Sequence, residues 1–205
     1  MRISSKLGFY IFHPIGVPFL AALFYFLVGV RHIPSNFIQA KLLAVSILTI
    51  GIPVVFVSSL IQLKIADSVQ LTNIQPKRFF LLCLSILLIT LNRFVIHDDL
   101  PELLYFYTGY LITICVYLFL SLFNINLSLH TGAISALIGF IVGISLLYKI
   151  NLVHLIGVAF LIVGWIASTR LFSEVHSLAE VIWGFILGLA PQVYFLNLAL
   201  QHYRM

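Results

Sequence analysis

Charge is what this chain has least of. Of its 205 residues only 8% are charged, 11 Lys or Arg against 6 Asp or Glu. A soluble globular domain carries about 25% charged residues. The shortage excludes a surface that water could cover. With 62% hydrophobic residues and a mean hydropathy of +1.15, the chain reads as an integral membrane protein. Cysteine is scarce too: Cys83 and Cys115 both lie inside apolar runs and read as small buried hydrophobes, with no sign of a disulfide framework. Clusters of basic residues are missing, so the net charge of +5 does not point to nucleic acid. The cations stand singly at the ends of apolar runs, as anchors of spans, where anionic headgroups would attract them. Arg2 and Lys6 precede an apolar run in a signal-like start, but no small-x-small cleavage site follows. The first span is therefore expected to be retained. No linker is long enough to hide a soluble domain. The expectation is one membrane domain over residues 1–205.

What is there is a series of apolar runs separated by short polar breaks. A hydrocarbon core of about 30 Å needs about 20 helical residues. The runs place spans at about 15–30, 41–63, 79–96, 103–123, 131–148, 152–167 and 178–200. That is an all-α bundle of seven transmembrane helices, or six if the first is interfacial. Pro53 and Pro191 are expected to kink their helices. Gly139 and Gly143 form a small-xxx-small pair. The short turn Lys149-Ile150-Asn151 predicts a tight antiparallel pairing of the fifth and sixth spans. The acidic run His97-Asp98-Asp99-Leu100-Pro101-Glu102 reads as a solvated turn before a helix start at Pro101.

Parity then sorts the polar patches. Two spans separate Asn126-Leu127-Ser128-Leu129-His130-Thr131 from the patch running from Ala167 to Glu180, so both open on one side. Lys77 and Arg78 fall on that side, Asp98 and Asp99 on the other. The side bearing the patches carries Arg2, Lys6, Lys64, Lys77, Arg78 and Arg170; the other carries Arg31, Lys41, Arg93, Lys149 and Arg204. Six against five assigns no orientation under the positive-inside rule.

The patches hold a workable chemistry. His176 and Glu180 are four apart and share a helix face. Arg170 lies six before His176, with Ser168 and Ser173 nearby. A cation, hydroxyls and a histidine–carboxylate pair suit phosphoryl transfer through an enzyme intermediate. Arg170 would hold phosphate oxygens. His176 Nε2 would attack phosphorus while Glu180 holds the other ring nitrogen. His130 would protonate the leaving oxygen. His154 and His97 have no polar company and read as structural.

The run Ser168-Thr169-Arg170, His176, Glu180 resembles the third signature of the phosphatidic acid phosphatase type 2 / haloperoxidase superfamily: serine–arginine, five residues, histidine, three residues, aspartate. Thr169 is inserted between serine and arginine, and Glu180 replaces aspartate. Leu127-Ser128-Leu129-His130 is similar to the second signature, proline–serine–glycine–histidine, in its serine and histidine. The first signature, a lysine, six residues and arginine–proline, has no counterpart; Lys77 and Arg78 offer substitute charge, with Pro76 before them. The resemblance covers about residues 77–198. It implies a phosphatase-like core in which His176 is the nucleophile, His130 the general acid and Glu180 the orienting acid. Arg170, Ser128, Ser168, Lys77 and Arg78 would bind phosphate. It implies no metal and no cofactor, and a lipid phosphate or isoprenoid pyrophosphate as substrate. The superfamily's haloperoxidases are soluble, so their chemistry is set aside.

The expectation is a divergent lipid phosphatase-like hydrolase, a multi-pass protein of the bacterial inner membrane, with membrane lipids as its surroundings and no assigned oligomeric state. The alternative is an inactive phosphatase-like protein that binds lipid headgroups or a membrane partner. A metal site built from His130, His176 and Glu180 is a further reading. A small transporter is a fourth, opposed by the lack of an inverted repeat.

Overall fold

The structure, a computed structural model, describes residues 14–66, 73–96, 100–173 and 175–202. All regular elements among them are helices: α1 (Val17–Val28), α2 (Ser35–Gln62), α3 (Ile74–Ile96), α4 (Pro101–Leu122), α5 (Leu129–Tyr148), α6 (Val153–Phe172) and α7 (Leu178–His202). Six of them, α2 to α7, are long and apolar enough to cross a membrane. The multi-pass helical bundle expected from composition is what the chain forms. In hydrocarbon each backbone group must be satisfied within the chain, and a helix does that locally.

The boundaries differ from the expected spans where polar residues extend a helix beyond its apolar core. α2 begins at Ser35, after Pro34, rather than near Lys41. α3 begins at Ile74, with Pro76 in its first turn, so Lys77 and Arg78 are helical rather than in a loop. α6 continues to Phe172, five residues past the expected end, and carries Arg170 in its last turn. A cation there faces the negative end of the helix dipole. The acidic residues Asp98 and Asp99, with His97, lie outside the described residues.

The first span is realised as a helix of 12 residues. At 1.5 Å per residue it is about 18 Å long, short of a full crossing. Three tyrosines locate it. The Tyr110 hydroxyl donates to Pro14 O at 3.1 Å, Tyr107 to Pro18 O at 2.9 Å, and Tyr25 to Glu102 Oε2 at 3.0 Å. α1 therefore lies antiparallel along the first half of α4, and Gly29, at φ 62°, ends it with a left-handed cap.

Both in-helix prolines have a local remedy. A π turn, Ile47–Gly51, sits immediately before Pro53 and takes up the conflict between its ring and the preceding turn. α7 runs through Pro191, which cannot donate to Leu187 O; Thr113 Oγ1 of α4 lies 3.3 Å from that carbonyl and shares its one proton between it and Gly109 O, at 3.1 Å. A second π turn, Leu91–Ile96, ends α3, and Lys41 Nζ donates to its Val95 O.

α5 is the most buried of the six long helices. It packs against its sequence neighbour α6, as the short turn predicts, but more extensively against α7. Glycines make that approach. A Cβ on Gly188 would stand 2.1 Å from Gly132 O, and one on Gly184 would stand 2.9 Å from Ser128 O. Gly139 contributes against Gln192, where a Cβ would be 2.7 Å from the Gln192 Cβ. Tyr117 Oη closes the seam by donating to Gly184 O at 2.6 Å. This contact locks the N-terminal ends of α5 and α7 together, where His130 and His176 lie.

Candidate active site

Four helices converge at that end. Lys77, in the first turns of α3, is buried. Its Nζ donates to Asn126 Oδ1 at 2.6 Å and to Leu127 O, which pins the strand-like approach to α5. Ser128 follows, at the N-cap of α5 with φ −74° and ψ 107°. A serine there normally accepts from an N–H of the first turn. This one does not: Ser128 is 0% exposed and its Oγ has no hydrogen-bond partner. Its backbone N–H donates to Glu180 O at 3.3 Å, and Thr131 Oγ1 donates to Ser128 O at 3.1 Å.

His130, the second residue of α5, meets Arg170 from α6. Arg170 is 1% exposed, and its Nη2 lies 2.5 Å from Nδ1 and 2.9 Å from Nε2 of His130. A guanidinium only donates, so it needs a ring nitrogen without a proton. His176, in the connection between α6 and α7, has Nδ1 3.2 Å from Glu180 Oε2, and its side chain is 6% exposed. Glu180 Oε2 also accepts from Ser177 N at 2.9 Å, while Ser177 Oγ accepts from Glu180 N at 3.3 Å. Ser177 and Glu180 thus form a capping box for α7. Burial, then the Lys77 charge, push the His176 imidazole down to about 4; the bond to Glu180 opposes them, and the Arg170 charge adds to them. His176 is neutral at pH 7, with Nδ1–H directed to Glu180 and the Nε2 lone pair available.

Of the expected residues, Lys77, Ser128, His130, Arg170, His176 and Glu180 are assembled at this end. Two are not part of the cluster. Arg78 Nε donates to Ser121 O at 3.1 Å and its Nη2 to Asn124 Oδ1 at 2.9 Å, so it caps the C-terminal end of α4. Ser168 is exposed and donates to Gly164 O at 2.9 Å. Two residues along a helix turn the side chain by about 200°, which puts Ser168 on the face opposite Arg170. Among the described residues no three His, Cys, Asp or Glu side chains group as a metal site. His154 is exposed on α6; His97 lies outside the described residues. Sequence reasoning missed Asn126 as the Lys77 partner and the cap formed by Ser177. The spacing Ser177-x-x-Glu180 before an apolar run was a readable signal for the second. Compared with family models, curated proteins and solved structures, the chain matches none.

Proposed function

We propose that this end of the bundle hydrolyses a lipid phosphate or isoprenoid pyrophosphate through a phosphohistidine, in a divergent phosphatase of the bacterial inner membrane. The observation that carries the reading is the buried Ser128 hydroxyl left without a partner at the start of α5, next in sequence to Leu127, which holds Lys77, and two residues before His130 of the Arg170–His130 pair. An oxyanion suits such a place: it accepts from a hydroxyl, a helix N-terminus and two cations at once. His176 Nε2 attacks phosphorus and the bond to the leaving oxygen breaks. His130, both of whose ring nitrogens lie against Arg170 Nη2, takes a proton in from solvent, turns one ring N–H away from Arg170 and passes that proton to the leaving oxygen. Water then displaces phosphate from His176, giving up its proton to the same histidine. Glu180 keeps Nδ1 protonated and the ring oriented.

The test is phosphate release by detergent-purified protein from phosphatidate, phosphatidylglycerol phosphate and undecaprenyl pyrophosphate, with EDTA present. Release that survives EDTA and disappears in His176→Ala is the expected result. Unchanged release in that variant removes the catalytic assignment. One observation favours a second reading, an inactive lipid-phosphate binder: Arg78 is committed to α4, which leaves Lys77 and Arg170 as the cations of the cluster among the described residues. Saturable binding of phosphatidate by folded protein, without turnover of any substrate, would select it.

A further inference from the structure

The groups that would handle phosphate are enclosed. Ser128 is 0% exposed, Arg170 1%, Lys77 3% and His130 4%, and the His176 side chain is 6% exposed. A phosphate group reaches them only if one of the surrounding helices moves. Three of the four helices at this end are tied to one another. α5 and α7 meet through glycines, with a Cβ on Gly188 set 2.1 Å from Gly132 O. Across the same seam Ser128 N–H donates to Glu180 O at 3.3 Å, and Thr131 Oγ1 lies 3.4 Å from Val181 O. α3 is fastened to the lead-in of α5 by Lys77, through Asn126 Oδ1 and Leu127 O.

α6 is held differently. Its buried residues are Ala159, Val163, Ile166 and Arg170, one line with spacings of four, three and four. Such a line is a single narrow seam, unlike the broad stripe of a helix packed into a core. The seam lies chiefly on α5, and α6 meets α7 sparsely, as at Phe160 and Phe185, whose ring centroids are 6.4 Å apart. A Cβ added at Gly157 or Gly164 would meet nothing within 4 Å. The two ends of α6 also differ. At its start Lys149 takes φ 53°, Ser145 Oγ donates to Ile150 O at 2.7 Å, Ile150 N–H donates to Ser145 O at 3.1 Å, and Val153 N–H donates to Asn151 Oδ1 at 3.2 Å. That turn is a fixed pivot. At the other end the seam finishes in Arg170, which rests on His130. Arg170 lies about 26 Å along the helix from Val153, so a tilt of about 9° at the turn carries it about 4 Å.

We propose that α6 is a hinged cover over this cluster, pivoting at the Lys149 turn and lifting Arg170 off His130 to admit the phosphate of a lipid. The enclosed arrangement is the closed form. In the open form phosphate inserts between the guanidinium and the imidazole, and the same movement lets the His130 ring turn toward the leaving oxygen. A lipid phosphate favours the open form, because the guanidinium meets it only after leaving His130. What the cover admits rests on the phosphatase reading; the hinge rests on the packing of α6.

The experiment uses the full chain with Cys83 and Cys115 replaced by alanine, in uncharged detergent, and its first arm needs no turnover. Spin labels on Ser168→Cys and Trp183→Cys report the Arg170 end of α6 against α7; labels on Leu155→Cys and Tyr194→Cys report the pivot end. All four positions are exposed. The 168–183 pair should show two separations about 4 Å apart, with added phosphatidate enriching the longer, while the 155–194 pair shows one. A single separation at 168–183 with and without phosphatidate, or an equal spread at 155–194, would overturn the hinge. The second arm joins Phe160→Cys to Phe185→Cys with a short bis-maleimide, which ties α6 to α7. Phosphate release from phosphatidate should fall at least about tenfold relative to each single-cysteine protein given the same reagent. Full release after cross-linking would also overturn the cover. Protein whose 168–183 separations respond to phosphatidate, but which releases no phosphate in any form, keeps the hinge and removes the phosphatase reading.

Discussion

His176 is held by its neighbours in a state that ordinary histidines reach only well above their titration point. Burial and two cations lower its value from 6.5 to about 4, so the ring stays neutral across that interval while an unfolded chain would already bind a proton. As pH falls from 6.5 toward 4, His176 withdraws stability from the fold, and under the proposed phosphohistidine mechanism its nucleophilicity would be lost only near the lower value. We therefore expect the acid limb of kcat/KM, corrected for ionisation of the substrate, to lie near pH 4. Lys77→Met should move the limb upward, because the largest charge opposing protonation is gone. A limb that stays in place would show that Lys77 does not act on His176. Glu180 has two tasks that can be separated. Glutamine can still close a capping box, so Glu180→Gln should keep the thermal midpoint while lowering kcat on the order of a hundredfold through a misheld ring. Glu180→Ala should lower both, the cap alone being worth about 1 kcal/mol. Equal loss of stability in the two variants would make Glu180 a structural cap and nothing more.

At the scale of the elements, α7 depends on two contacts that its own sequence does not supply. Pro191 frees the Leu187 carbonyl, and Thr113 from α4 shares its hydroxyl proton between that carbonyl and its own Gly109 O. Thr113→Val should cost about 1 kcal/mol in the thermal unfolding of detergent-solubilised protein. The cost should shrink when Pro191→Ala restores the helix's own donor, and the double-mutant cycle reads the difference. Additive effects would mean that Thr113 stabilises by packing alone. The second contact is the glycine seam. Gly188→Ala must move Gly132 O, which lies 2.1 Å from the added Cβ, so α5 and α7 are forced apart at a cost of about 1–3 kcal/mol. Gly164→Ala on α6 meets nothing within 4 Å and should gain about 1 kcal/mol of helix propensity. Similar midpoints for the two variants would contradict the packing described for α5 and α7.

For the whole molecule, the helix order requires that the α4–α5 and α6–α7 connections lie on one side of the membrane and the α5–α6 turn on the other. Asn124, Ser177 and Lys149 are exposed reporters of the three. With Cys83 and Cys115 replaced by alanine, Asn124→Cys and Ser177→Cys should react together with an impermeant maleimide in sealed vesicles of one orientation. Lys149→Cys should react only in vesicles of the other. Reaction of all three from one side would remove the topology, and with it the placement of His130 and His176 at one end of the bundle. The same topology separates the two polar ends: Lys77, Arg170 and His176 at one, Arg31 and Glu102 at the other. α1 joins only the second, through Tyr25.

The class of this molecule was decided by composition, because 8% charge leaves no other solvent than lipid for 62% hydrophobic residues. Spacing carried nearly as far: Arg170, His176 and Glu180, and the parity that puts His130 beside them, were readable before any coordinates. What the sequence left open were rotations about helix axes. In water an apolar stripe tells which face turns inward. In a membrane both faces are apolar, so the pattern loses its phase. Each residue of error at a helix start then turns a side chain by about 100°. That is why Ser168 and Arg170 looked alike as phosphate ligands until α6 put them on opposite faces, and why Lys77 and Arg78 parted, one to Leu127 and the other to Ser121. It is also why the closer α5–α7 approach was not foreseen beside the expected α5–α6 pairing. The short turn at Lys149 makes those two neighbours, but only glycines lined up in three dimensions, Gly132 against Gly188, let α5 and α7 come closer.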